Sequence, residues 1–359
     1  MPIRLAAAAA LIAGAAAAQG LDPREAVERS RDLVPTGPWP AEDQAGMGNT
    51  QGAGTWLRCA AHLAAEGAQA YELSHERFNE MPQSPFGVPL IYEYRPTVGI
   101  PGTRHAFNGE QIASGEPGAQ GTQMDALGHF AELPEAWSGE PPFPSGAATY
   151  YGGREQEAVK PTPDSPLLAL GMEQAPPIVT SAVLLDAAAH LNGGDALEPG
   201  AMVTAADIDA MLEAQGLGWR GLLPGDVVLI HTGWGALWDD PEGSERYYTM
   251  GPGLARDAAE MLAERHVVLV ALDNPFTDPV AEGQLRGEAM PPQGMEDGLP
   301  FVIHHLNLAK NGIHNIQNAR LGEIAADRVW TSCAMILPLR SRGASGSPVR
   351  AVAIGASAD

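Results

Sequence analysis

Leu223-Pro224-Gly225-Asp226-Val227-Val228-Leu229-Ile230-His231-Thr232-Gly233-Trp234 is the stretch on which the fold turns. A Pro-Gly-Asp turn feeds four consecutive aliphatic residues, the pattern of a strand buried on both faces. The run ends in His231, Thr232, Gly233 and Trp234, at the kind of strand end where open α/β sheets hold ligands. Two other runs repeat the design: Ile178 to Leu185 closes on Asp186, and Val267 to Leu272 closes on Asp273-Asn274-Pro275. Helical spacing fills the intervals. Thr204 caps a helix through Ala206, Ile208, Met211 and Leu212, and Leu254 to Arg265 is amphipathic. This alternation of strand and helix implies an α/β domain.

Upstream the pattern is less regular. Leu21 to Gly52 is rich in Pro, Gly and charge, as expected of an arm wrapping the body, with one helix near Asp22 to Asp32. Thr55 to Gly67 has helical spacing, Tyr71-Glu72-Leu73 reads as a strand, and Met81 to Gly87 is a proline-stiffened loop able to line a pocket. Phe130 to Pro166 lacks periodicity and carries Trp137, Tyr150 and Tyr151, the character of a long ordered insertion. Between these lies Gly121-Thr122-Gln123-Met124-Asp125-Ala126-Leu127-Gly128-His129-Phe130. Extended, it alternates Gln123, Asp125 and His129 on one face with Met124 on the other. Two readings stand: a polar turn between strands, or polar heads converging on a metal or a general base.

Composition narrows the classes. The net charge of −23 opposes nucleic acid and anionic membranes, because such a surface repels phosphate. Lysine occurs only at Lys160 and Lys310, and no basic stripe exists. Met1-Pro2-Ile3-Arg4 and the Ala-rich run to Ala18 have the form of a secretory signal peptide cleaved after Ala18, which implies a periplasmic or secreted protein. The expected organisation is a signal peptide over 1–18, an N-terminal arm over 19–52 and a single domain over 53–359. Cys59 and Cys333 leave two alternatives, a disulfide or two buried thiols.

The second half of the candidate site lies downstream. Phe301 to Leu306 carries His304-His305 in a strand-like setting, and Gln317 follows a short turn or helix, so His305 and Gln317 could face one cavity. With the Ala119 to His129 stretch, these residues resemble the cyclase family of metal-dependent hydrolases, which includes kynurenine formamidase and isatin hydrolase. That family's signature, H-x-G-T-H-x-D-x-P-x-H, aligns with Ala119-Gln120-Gly121-Thr122-Gln123-Met124-Asp125-Ala126-Leu127-Gly128-His129. Leu223 to Trp234, Gly251-Pro252-Gly253-Leu254, His305 with Gln317 twelve positions on, and Gly343 to Val349 are similar to four further family segments.

The resemblance implies an α/β fold of the swivelling β/β/α type, a mixed, partly barrel-like sheet with flanking helices, assembled as homodimers or homotetramers. It also implies metal-dependent hydrolysis of an amide, a formamide or a cyclic amide or ester. Gln123, Asp125, His305 and Gln317 would be the metal ligands, His129 the proton shuttle, and a small aromatic or hydrophobic molecule the substrate. Trp234 would either wall the substrate pocket or pack in the core. The departures carry weight as well, since two motif histidines are Ala119 and Gln123 and the metal-binding Glu is Gln317. Amides in place of imidazole and carboxylate weaken zinc and favour an oxygen-tolerant ion, so the expectation is one Mn or Zn ion per subunit. The same departures support an alternative, a secreted small-molecule-binding protein on a hydrolase scaffold with a degenerate metal site.

Overall fold

The structure is a computed structural model that describes residues 21–240, 244–295 and 299–358. The signal-peptide segment expected over 1–18 lies outside the described residues. Among them no helix is long and apolar enough to cross a membrane.

The three sequence-read strands form the middle of one large sheet. Its strands are β1 (Gln69–Glu72), β4 (Gln123–Asp125), β5 (Ile178–Asp186), β6 (Val227–His231), β7 (Leu269–Leu272), β8 (His314–Gln317), β9 (Thr331–Ile336), β10 (Gly346–Pro348) and β11 (Val352–Gly355). Their order is β1-β11-β9-β5-β6-β7-β8-β4-β10. β5, β6, β7 and β8 run parallel, and antiparallel strands flank them on both sides. The fold is thus mixed α/β, a curled open half-barrel sheet with flanking helices. Strands β2 (Ile91–Gly99) and β3 (Ala106–Ser114) stand apart as a separate hairpin.

Burial explains why the centre is parallel. Val227 to Ile230 and Leu269 to Leu272 are buried throughout, because helices cover one face and the half-barrel interior the other. The helices are α1 (Pro23–Ser30), α2 (Ala53–Leu63), α3 (Ala205–Ala214), α4 (Arg256–Glu264) and α5 (Gly322–Ala326). Asp22 caps α1 through the amides of Arg24 and Glu25. Thr204 and Asp207 form a reciprocal capping box on α3. Thr55, expected to cap α2 from outside, lies within its first turn, where its Oγ1 accepts from the Gly52 amide. Cys59 on α2 and Cys333 on β9 form a disulfide, which closes the question left open by sequence.

The turn before β6 is pinned by charge. Gly225 has φ +78°, and a Cβ there would lie 2.6 Å from Thr55 Cγ2, so both backbone angle and space call for glycine. Asp226 is fully buried, accepts two hydrogen bonds from Arg220 Nη2 at 3.0 and 3.1 Å and one from the Leu223 amide, and lies 3.6 Å from Arg58.

The segment after α4 and β7 departs from expectation. Val302–His304 is a helical turn continuing as a π-helix over His305–Asn311, so neither histidine sits on a strand. Gly312, at φ +66°, ends it. Gly46 of the arm packs so closely there that a Cβ on it would lie 2.3 Å from Gly312 O.

Candidate active site

Strand β4 delivers the first polar group. Met124 is fully buried in the half-barrel core, whereas Gln123 and Asp125 project from the opposite face, as the period of two requires. The entry to β4 is clamped: Thr122 Oγ1 donates to the Asn318 carbonyl at 2.6 Å, and Asn318 Nδ2 donates to Gly121 O at 2.8 Å. Pairing places Gln317 of β8 directly opposite Gln123.

The loop after β7 supplies the second group. Asn274 folds it by accepting from the amides of Phe276 and Thr277. The loop presents Asp278 to the helical turn at 302–304, whose Ile303 and His304 amides donate to its carboxylate at 2.6 and 3.2 Å. His304 Nδ1 lies 2.5 Å from the same carboxylate, which fixes the ring. Its Nε2 then faces Gln317 Nε2 at 3.0 Å and Asp125 Oδ2 at 3.5 Å. Gln317 Nε2 donates to Asp125 Oδ2 at 2.6 Å. The result is a continuous buried chain, Asp278 to His304 to Gln317 to Asp125. His314 supports it from behind, its Nδ1 2.8 Å from the Asp125 carbonyl. The amide oxygens of Gln123 and Gln317 have no hydrogen-bond partner among the described residues.

His129 stands at the mouth of this chain, in the helical turn Leu127–His129. Its ring is open to solvent yet crowded by protein, with His304 at 6.4 Å and Phe130 at 5.4 Å between ring centroids. That crowding penalises charge and lowers the imidazole pKa, although Asp125 pulls the other way. Burial likewise opposes charge on His304, but the bond to Asp278 and the nearby carboxylates outweigh it and raise the pKa. The neutral form, with its proton on Nδ1 toward Asp278, is the one whose Nε2 accepts from Gln317.

A cavity of about 590 Å³ opens beside Phe130, which packs on His304 at 4.9 Å between centroids. Its wall includes Leu133, Trp137, Leu299, Phe301 and His305. Phe86, from the proline-stiffened loop, meets Phe301 edge-on at 6.2 Å. Volume and lining both suit a small aromatic molecule.

Residues 71–279 match the model of a protein family described as Putative cyclase. The chain belongs to this cyclase family. Over 109 residues it is 33% identical to kynurenine formamidase of Bacillus cereus, a match that covers 30% of this chain and 43% of that relative's length. Among solved structures, that of a novel cyclase covers 88% of this chain and 95% of its own, with TM-score 0.69 and 23% identity. Isatin hydrolase A from Ralstonia solanacearum covers 82% of this chain and 94% of its own, with TM-score 0.51 and 18% identity. Both structural likenesses concern the fold.

In this cyclase-family chain Gln123, Asp125, Gln317 and His129 are gathered in one place, as the sequence led us to expect. His305 is not with them. Its Nε2 points to Glu132 Oε1 at 4.0 Å on the cavity wall, and its neighbour His304 takes the inward position. The π-helix provides the reason, because it places one more residue per turn than an α-helix and shifts the spacing to Gln317 from twelve to thirteen. Trp234 does not wall the cavity. It is 2% exposed and packs with Met81, Leu90, Trp238 and Tyr247, its indole N–H donating to the Tyr247 carbonyl. Asp278 and His314 went unread. His304 carried a visible signal as half of a histidine pair, whereas Asp278 lies in a loop with no periodicity to mark it.

Proposed function

We propose that this chain is a hydrolase that cleaves an amide, a formamide or a cyclic amide or ester of a small aromatic or hydrophobic substrate. The observation that carries this reading is the placement of His129, solvent-open and held toward its neutral form, beside His304 of the buried polar chain and against Phe130, which lines the aromatic-walled cavity. A neutral imidazole can take a proton from water as the oxygen adds to the substrate carbonyl carbon. When the C–N or C–O bond breaks, the same proton passes to the leaving nitrogen or oxygen. Asp125 favours the imidazolium formed in between, and Phe130, Trp137 and Phe301 orient the substrate and exclude bulk water. The names of kynurenine formamidase and isatin hydrolase support the choice of bond.

The divalent cation implied by the resemblance, Mn or Zn, finds a poor donor set in this chain. Among the described residues no three His, Cys, Asp or Glu side chains gather as a metal requires. Asp125 and His304 are the strong donors present, and their facing lone pairs already accept from Gln317. The residues therefore do not fit the metal, and no step is routed through one.

A second reading, a small-molecule-binding protein on the same scaffold, is favoured by the amides at Gln123 and Gln317. Assays with formylkynurenine, isatin and simple aryl lactones separate the two. Turnover that disappears in His129→Ala supports the hydrolase, whereas saturable binding of an aromatic acid without turnover of any of these compounds supports the binder. We further propose export, which the signal-like leader and the Cys59–Cys333 disulfide support, and assembly as a homodimer or homotetramer. N-terminal sequencing of the mature protein and its mass in solution test these two points.

A further inference from the structure

We propose that the side-chain amide of Gln317 occupies the place of a cation, joining Asp125 to His304 by hydrogen bonds so that the cluster is assembled without a divalent metal. This deepens the hydrolase reading and rests on it for the role of the cluster. The amide nitrogen has two hydrogens, and two acceptors lie within reach: Asp125 Oδ2 at 2.6 Å and His304 Nε2 at 3.0 Å. In the neutral ring, the bond from His304 Nδ1 to Asp278 holds the proton away from Nε2, which leaves Nε2 an acceptor.

Reversing the amide would set its oxygen 2.6 Å from the Asp125 carboxylate, acceptor against acceptor, an arrangement that only a cation or a proton could hold. As found, hydrogen fills that space. A glutamate at 317 could not donate. The amide at this position and the missing metal donors elsewhere in the motif, Ala119 and Gln123, then have one explanation: a hollow closed by hydrogen bonds has no use for additional ligands. Gln317 acts here as a positioning residue, setting the distance between Asp125 and His304, while its Oε1 and that of Gln123 are buried without a partner among the described residues.

The test measures metal binding and activity separately on the full mature chain. Wild type purified from medium supplemented with Mn²⁺ and Zn²⁺ is expected to hold well under one equivalent of metal by elemental analysis. Its Tm should not move with either ion, and hydrolysis should survive EDTA. Gln317→Glu, which restores a carboxylate, is expected to gain saturable binding, with a Tm rise of about 5 °C at a hundredfold excess of ion over Kd. One equivalent of tightly held metal in wild type, with a Tm that drops when EDTA strips it, overturns the proposal. A folded Gln317→Glu chain that binds neither ion overturns the assignment to this amide. If that variant does not fold, the wild-type metal content and Tm decide alone. A chain that is metal-free but inactive on every substrate removes the hydrolase reading and leaves the amide assignment standing.

Discussion

Two buried polar clusters lie at opposite ends of the parallel strands, and they are built to different standards. At the start of β6, Asp226 is met by Arg220, Arg58 and the Leu223 amide, so its oxygens are satisfied in place. At the Gln317 end of β8, the chain from Asp278 to Asp125 is equally well buried but leaves the oxygens of Gln123 and Gln317 without partners among the described residues, behind a cavity wall whose Phe130 packs on His304. A carboxylate with both oxygens satisfied marks a structural staple, even though Arg58 Nε beside it finds no partner among the described residues, because a buried carboxylate left short of partners is costly. Unpaired buried acceptors behind a cavity wall mark a place where something else can supply the missing hydrogens. Polarity and burial alone do not distinguish the two.

Perturbing each cluster in turn breaks or sharpens this contrast. His129→Ala should lower kcat by roughly 10²- to 10⁴-fold while Tm stays close to wild type; an unchanged kcat in a steady-state assay would move proton transfer elsewhere. The same group sets the acid limb of the pH profile. With its pKa below the ordinary value, kcat/KM should climb as pH rises through a point under 6.5 and level off by pH 7. Asp226→Ala should do the reverse, costing about 3–5 kcal/mol in urea unfolding by leaving two buried guanidinium groups unpaired. At temperatures where that variant remains folded, its kcat should match wild type.

A smaller effect comes from His62, beside the same staple, where burial and then Arg220 lower its pKa to about 4. The unfolded chain binds this proton near pH 6.5 and the folded chain only near 4. Its contribution is therefore complete above pH 6.5 and is lost as pH falls toward 4, about 3 kcal/mol in all. Urea titrations at pH 7.5 and 4.5 should show a flatter dependence for His62→Gln. Smallest is Trp137→Ala on the cavity wall. It should raise KM about tenfold with little change in kcat, and an unaffected KM would move the substrate off this wall.

Residues with a strong period were legible in the sequence. The buried strands β5 and β6 run where continuous aliphatic residues placed them, and Met124 faces the core while Gln123 and Asp125 do not. The shared face of Gln123 and Asp125 could also be read, because spacing along extended chain translates directly into position, whereas His129 reaches the same place from a helical turn and not from the extended run expected over 123–129. Three things could not. Trp234 lies just past a strand end, but the helical turn Trp234–Trp238 folds it back into a cluster whose other members are remote in sequence. Asp278 gains its role from amides of a turn some 25 residues on, a contact that no local pattern encodes. The choice between His304 and His305 depends on how tightly a helix is wound, and residue types do not record winding.

That winding has a wider consequence. Deleting one residue within 308–310 would remove the extra residue that the π-turn accommodates, let the segment settle into ordinary α-helical pitch and leave His304, then twelve positions before the glutamine, facing inward. Tightening to that pitch at the present length would instead turn the preceding residues by about 100° and bring His305 to the inward bearing. Length and winding thus compensate each other, and a one-codon deletion is expected to be tolerated where a change of pitch alone would not be.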